Sequence, residues 1–366
     1  MPARRRPNRA TCCSPGAFLA LAIFLSESAT AEFFSPFVSE PILIAGFGSA
    51  GRRHFQNLRA LGAGNFVFYR TFQATIPDPE IAAWPSTANL EEALALRPRI
   101  AIVSNPTARH LDVALAAARA GCHLYIEKPL SHSLDHCQLL AELVRQRELT
   151  AMVGCQYRFH PLLKSLRDQL HAGRIGEVLG ARAEWGEYLP DWHPWEDHRK
   201  SYSARGDLGG GVVLTLIHPL DYLHWLFGPV RHVQASIRSV PSLQTSAGDD
   251  WAEITLEFAS GVIGQVHLDY VQRPPVHRLS VWGDRGRATW DFHAGTLDWQ
   301  APDGSTETER VPTGFERNTM FLDALRSFLE AAEHRRPSSI PLDDGIAALD
   351  VALKAKHSAA REGCHV

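Results

Sequence analysis

The chain has 366 residues, 45% of them hydrophobic and 21% charged, with a formal net charge of −3. That length suggests two domains with ample core, and the balance is that of an ordinary globular protein. Nothing in it argues for a nucleic-acid or membrane-surface partner, and none is expected. The six cysteines, Cys12, Cys13, Cys122, Cys137, Cys155 and Cys364, have no metal-site spacing, and at this size reduced thiols are expected rather than a disulfide framework.

The N-terminus reads in two ways. Arg4, Arg5, Arg6 and Arg9 are followed by the apolar run Ala17 to Leu25 and by Ala29-Thr30-Ala31, the layout of a secretory signal with too short a run to span a bilayer. The alternative is a poorly structured extension over residues 1–37, translated from a start codon placed too far upstream. The extension is preferred, which implies a cytoplasmic protein. A working signal over residues 1–31 implies export to the periplasm.

Pro41 to Ala45 is an apolar run expected to form a buried parallel strand. It leads into Gly46-Phe47-Gly48-Ser49-Ala50-Gly51 and a predicted helix from Arg52 to Leu61. Strand, glycine-rich turn and helix together make a dinucleotide site: Gly46 for the turn, Gly48 for approach of a pyrophosphate, Gly51 for close helix packing. The helix N-terminus offers unpaired N–H groups and a positive dipole end to the phosphates. The second predicted strand, Asn65 to Tyr69, ends in Arg70 rather than an acid. A guanidinium there suits the 2′-phosphate of NADP, so NADP is favoured with NAD possible.

Helices at Glu91–Leu96, His110–Ala120 and Ser133–Arg147 alternate with strands at Ile100–Ser104, His123–Ile126 and Thr150–Gly154. That order implies a doubly wound parallel sheet with its ligand at the carboxyl ends of the strands. From about Gly176 the pattern turns to strands, at Val178–Glu184, Val230–Ser239, Trp251–Phe258, Val262–Tyr270, His277–Trp282 and Ala288–Phe292. A helix near Pro219–Leu226 and two amphipathic helices, Asn318–Glu333 and Asp343–Arg361, complete an α+β domain with a mainly antiparallel open sheet. The expected division is an α/β nucleotide-binding domain over residues 38–160 and a substrate-binding and oligomerisation domain over residues 161–366.

Four elements in this order resemble the Gfo/Idh/MocA oxidoreductases, named for glucose–fructose oxidoreductase and inositol dehydrogenase. They are Gly46-x-Gly48-x-x-Gly51-x-x-His54, Glu127-Lys128-Pro129, Gln156-Tyr157-Arg158-Phe159-His160-Pro161, and Gly209-Gly210-Gly211 leading to His218-Pro219-Leu220-Asp221. The resemblance covers roughly residues 41–362. It implies an α/β Rossmann domain and an NAD(P)-dependent dehydrogenase or reductase acting on a hydroxyl or keto carbon of a sugar, cyclitol or nucleotide sugar. Lys128 is expected beside nicotinamide and substrate, where a lysine can donate to an alkoxide or carbonyl oxygen. His218 is expected to bind or deprotonate the reacting hydroxyl. The chain departs from the pattern where family members usually carry an aspartate, three or four positions before that histidine: it has Thr215 and Leu214. Threonine cannot act as a carboxylate base. Asp221 is read mainly as structural.

The resulting site is Lys128, His218 and Thr215 for catalysis. The cofactor is assigned to Gly46, Phe47, Gly48, Ser49, Ala50, Gly51, Arg70, Asn105, Pro106, His110, Glu127 and Lys128. The substrate is assigned to Lys128, Gln156, Arg158, Trp195, Arg199, Tyr202 and His218. The aromatic and charged stretch from Leu189 to Tyr202 suits a sugar, and Arg199 with Lys200 suits a phosphate or carboxylate. It is equally well read as a loop packed by its tryptophans. No metal site is expected. The partners expected are a small sugar-like substrate and further copies of the chain, through the C-terminal sheet. Two other readings stay open: a non-catalytic NADP-binding sensor of redox state or sugar, and a tightly held cofactor that supports elimination or epimerisation.

Overall fold

The computed structural model describes residues 40–72 and 78–362; the signal-like N-terminal stretch lies outside them. The first strand, β1 (Ile42–Ala45), is buried at every position and runs into helix α1 (Ser49–Ala60). The chain continues through β2 (Phe66–Tyr69), β3 (Ser86–Thr87), α2 (Leu90–Ala95), β4 (Ile100–Val103), α3 (His110–Arg119), β5 (His123–Ile126), α4 (Cys137–Gln146) and β6 (Ala151–Val153). All pairings are parallel, in the order β3-β2-β1-β4-β5-β6. The strand order reverses between β1 and β4, which opens a ligand crevice at their carboxyl ends. Helix α4 starts later than the expected Ser133, because His136 sits in the left-handed region at φ 62°.

A turn over Gln156–Phe159 leads to helix α5 (Pro161–His171), which the sequence reading did not separate. Its signals are local: Pro161 opens the helix, and His160 Nδ1 accepts the Leu162 N–H at 3.2 Å. Next come β7 (Val178–Gly186), the short α6 (Val212–Thr215), α7 (His218–Phe227), β8 (Val230–Arg238), β9 (Trp251–Phe258), β10 (Ile263–Asp269), β11 (Val276–Gly283) and β12 (Gly286–Asp291). Strands β13 (Thr296–Gln300) and β14 (Thr306–Arg310) extend the sheet beyond the predicted set, and α8 (Arg317–Glu333) and α9 (Leu342–Glu362) end it. The order is β14-β13-β12-β11-β7-β10-β9-β8, antiparallel except where β7 pairs with β10.

Alternation decides which face is covered. On β7, Ala181, Ala183 and Trp185 are buried while Arg182 is exposed; on β9, Ala252, Ile254, Leu256 and Phe258 are buried while Glu253 and Glu257 are exposed. The opposite face carries charges and, at one end, Ile263 and Trp282, which flank Gly180 in register. Helix α9 packs on β8 and also reaches β6. Just before it, the Ile340 carbonyl accepts the Val153 N–H at 3.0 Å, so the C-terminal segment closes the edge of the first sheet.

Cys122, Cys137 and Cys155 are buried free thiols. No helix among the described residues is long and apolar enough to cross a membrane. Nor do these residues include three or more His, Cys, Asp or Glu side chains grouped to hold a metal ion.

His110, His123, His160, His218 and His277 are all buried. Burial is the first cause that pulls each below the ordinary histidine range, His123 to about 4 and His160 to about 3. In the unfolded chain each imidazole takes a proton near pH 6.5, so below that pH the unfolded state binds more protons. The stability these groups contribute is present above pH 6.5 and is lost as pH falls toward each folded pKa, by at most about 1.4 kcal/mol per pH unit for one imidazole. His267, raised by Asp269 and Glu253 against its burial, works in the opposite direction. Urea midpoints are therefore expected to fall steeply between pH 6.5 and 5; a flat profile would falsify this account.

Candidate active site

The crevice begins at the glycine turn. Gly46 has φ +91°, and a Cβ on it would stand 2.6 Å from the Asn105 backbone. A Cβ on Gly51 would lie 2.0 Å from the Gly46 carbonyl oxygen, so α1 packs on the turn only because that position is bare. Gly48 differs: a Cβ there would meet nothing within 4 Å. Gly48 is also the N-cap of α1, with no side-chain cap and no acid in the first turn. The helix therefore presents free N–H groups, from Ser49 and Ala50 onward, to open space. Bare backbone and uncapped dipole fit a pyrophosphate.

Phe47 is buried against Phe55 and Phe68, and the Arg52 guanidinium lies 4.8 Å over its ring. At the end of β2, Arg70 pairs with Asp78, and Arg52 of α1 pairs with Glu80. On the other side, Asn105 and Pro106 follow β4. His110 lies between two carbonyls, Asn105 O at 2.8 Å from Nε2 and Pro129 O at 2.9 Å from Nδ1. It thereby ties the loops after β4 and β5.

After β5, His54 Nε2 donates to Glu127 Oε1 at 2.6 Å. Burial works against the Glu127 charge, but His54, Lys128 and Arg53 hold its pKa down at about 2. Glu127 is therefore a carboxylate, and its other oxygen accepts the Lys128 backbone N–H. Lys128 Nζ donates to the Thr215 carbonyl at 2.8 Å. Thr215 thus meets the lysine through its backbone, while its buried side chain lies against Tyr270.

His218 opens α7 and is buried. Its Nε2 accepts from the Gln156 amide at 3.2 Å. Its ring lies 5.6 Å from Trp185 in a stacked arrangement and 4.8 Å from Tyr157, edge-on. Trp185 in turn stacks 4.2 Å from His277 with planes 4° apart, and its indole N–H donates to Glu187 at 2.8 Å. Burial, then the Lys128 charge, pulls His218 well below its usual pKa, so it is a neutral ring at pH 7.

The structure brings Lys128, Thr215, His218 and Gln156 together. It does not bring Arg158 with them as a substrate contact. That side chain is 5% exposed, with Nε 3.0 Å from Asp221 Oδ2, Nη2 2.6 Å from Asp221 Oδ1, and Nη1 on Asp344. Two carboxylates claim the guanidinium, so it binds the Gln156–Phe159 turn to α7 and α9. Arg199 is likewise engaged, with Asp197 and Gln244 at the surface. Trp195 is 66% exposed and touches His193. Tyr202 is half-buried, and His198 Nε2 donates to the Leu243 carbonyl at 2.8 Å. Trp185, His277, Tyr157, Arg53 and Arg317 were not singled out from sequence. The first two sit on strands as core residues, with only their partners across the sheet to mark them.

Comparison with known proteins agrees with this geometry. Residues 41–155 match the model of an oxidoreductase family with an NAD-binding Rossmann fold, and residues 163–289 match a GFO/IDH/MocA C-terminal domain. The chain belongs to the GFO/IDH/MocA oxidoreductase family. An uncharacterized oxidoreductase of Synechocystis is 27% identical over 319 residues, 79% of this chain and 83% of that one. The myo-inositol 2-dehydrogenase of Thermotoga maritima is 26% identical over 266 residues, 70% of this chain and 76% of its own. Among solved structures, a levoglucosan dehydrogenase complex with NADH and levoglucosan superposes with TM-score 0.78 at 18% identity, covering 88% of this chain and 98% of that one. That similarity establishes the GFO/IDH/MocA fold and not the substrate.

The glycines separate cofactor site from fold. Gly48→Ser is expected to leave stability within about 0.5 kcal/mol while weakening NADH binding, because the new side chain fills the phosphate seat. Gly51→Ala is expected to cost about 1–3 kcal/mol of stability through overpacking. Thermal unfolding and NADH fluorescence titration check both; equal destabilisation by the two would sink the assignment.

Proposed function

We propose that the protein is an NAD(P)-dependent dehydrogenase or reductase of a sugar or cyclitol, with Lys128 as its proton-handling residue. The observation that carries this is the Lys128–Thr215 bond, which holds the Nζ of the Glu127-Lys128-Pro129 segment beside His218. Residues 46–51, Asn105, Pro106 and the loop at Glu127 would hold the nicotinamide cofactor, which would supply or accept the hydride when bound.

Lys128 spends one N–H on Thr215 and keeps two others for a substrate oxygen. In the reducing direction a proton passes from Nζ to the carbonyl oxygen as the carbon gains hydride, leaving a neutral amine. In the oxidising direction the neutral amine takes the hydroxyl proton. His218 is too weak a base, buried as it is, to carry that proton itself. It orients the hydroxyl through a hydrogen bond, with its ring fixed by Gln156, Tyr157 and Trp185. Thr215 serves through its carbonyl. Relatives that act on myo-inositol and levoglucosan support the substrate class.

A preference for NADP is supported by Arg70 at the end of β2 and Arg52 of α1, although Asp78 and Glu80 compete for them. Assembly through the open face of the second sheet is supported by Ile263, 47% exposed, and Trp282, 39% exposed, on either side of Gly180.

The test is nicotinamide absorbance with NAD and NADP against a panel of sugars, inositols and nucleotide sugars. Turnover is expected to fall about 100-fold or more in Lys128→Met, and Arg70→Ala is expected to lose about tenfold with NADP only. A Lys128→Met enzyme of unchanged rate removes the lysine from the mechanism. For the assembly, Trp282→Glu is expected to lower the mass seen by light scattering; an unchanged mass places the interface elsewhere.

A further inference from the structure

Two guanidiniums beside this site have no ion-pair partner among the described residues. Arg53, on α1, is half-buried and lies 4.2 Å above the Phe321 ring of α8, and it forms no ion pair among the described residues. Arg317 is the first residue of α8 and also forms no ion pair among them; its side chain lies near the Tyr157 hydroxyl. The two helices are locked together next to these residues by a reciprocal amide pair. Asn57 Nδ2 donates to Asn318 Oδ1 at 3.2 Å, and Asn318 Nδ2 donates to Asn57 Oδ1 at 2.8 Å.

The pair belongs to the same crevice as Lys128. Glu127 feels both Lys128 and Arg53, and His218 feels both Lys128 and Arg317. The carboxylates in reach are already taken, Glu127 by His54 and the Lys128 N–H, Glu187 by the Trp185 indole. Thr215, which meets Lys128 through its carbonyl, has no carboxylate to offer. Three cations, Lys128, Arg53 and Arg317, thus border a crevice whose neighbouring carboxylates are already engaged. Burial, with Arg317 adding to it and Glu127 opposing, pulls the Arg53 pKa below that of an ordinary guanidinium. Such crowding of like charge is costly to keep unless an anion arrives.

We infer that the substrate carries an oxyanion, a carboxylate or phosphate on the sugar, held by Arg53 and Arg317 while Lys128 and His218 face the reacting carbon. Guanidinium forks suit such groups, and Arg199, the cation first expected to do this, is paired at the surface. The inference rests on the dehydrogenase reading for the reacting carbon but not for the anion contact. A cofactor phosphate is the rival anion; its seat is the uncapped start of α1, whereas the Arg53 guanidinium stacks on α8.

The experiment is calorimetric binding of D-glucuronate, glucose 6-phosphate and D-glucose to the full chain saturated with NADH. At least one anionic sugar is expected to bind about tenfold or more tightly than glucose. That ratio is expected to fall toward one in Arg53→Gln and in Arg317→Gln. The second variant lies at an exposed helix start and keeps the test decisive if the first fails to fold. Whether carboxylate or phosphate is preferred follows from which anionic sugar leads. Equal binding of glucose, no binding by either anion, or a ratio that survives both substitutions overturns the inference. So does an Arg53→Gln protein that loses NADH affinity by the same factor, which assigns the arginine to the cofactor. Anion preference without turnover on any compound supports the subsite and sinks the hydride-transfer reading alone.

Discussion

The buried guanidinium of Arg158 is the constraint on which the site depends. It sits on the turn that leaves the first sheet and grips Asp221 of α7 and Asp344 of α9. Burial alone lowers the affinity of such a group for its proton, but the Asp221 carboxylate outweighs it and the pKa rises. Removing either partner of a buried pair leaves an uncompensated charge, which costs about 3–5 kcal/mol. The same turn carries Gln156 and Tyr157, and the same α7 begins with His218. Holding Arg158 therefore holds the histidine at its place against Lys128, which follows β5 of that first sheet.

Around that anchor the site is built from rings and committed charges. His218 is kept neutral by burial and by nearby cations, and it is placed by aromatic faces rather than by a carboxylate. Glu127 is kept ionised by His54, and its neighbour Lys128 is placed by a backbone carbonyl. A threonine suffices at position 215 because what the lysine uses there is the main chain.

Much of this was legible in the residues. Buried parallel strands are continuous apolar runs, and β1, β4 and β5 were found nearly to the residue for that reason. The glycine turn announced the phosphate seat because Gly46 and Gly51 answer steric demands of the fold while Gly48 faces open space. The weak strands escaped: β3 has two residues, and β14, with the sequence Thr-Glu-Thr-Glu-Arg, has no apolar face to show. Arg158 looked like a ligand contact because its motif adjoins the site. Its two acids lie 63 and 186 positions away in sequence, and no local pattern reports them. Arg199 misled for the opposite reason, since its partner Asp197 is only two residues off and the stretch read as a sugar platform. Arg53 and Arg317 came together only through the packing of α1 on α8.

The bond from Val153 to the Ile340 carbonyl carries a consequence for modularity. Residues just upstream of α9 complete the border of the nucleotide-binding sheet, and Gly345 approaches Val153 so closely that a Cβ on it would lie 2.6 Å from a methyl group. The genetic segment that encodes the Rossmann half is therefore not a self-sufficient folding module. An excised fragment ending near residue 160 would expose the β6 edge, with an unpaired amide and bare apolar surface, and such an edge invites pairing with another chain. Recombination that swaps substrate halves between relatives must carry this returning strap along with its own first sheet.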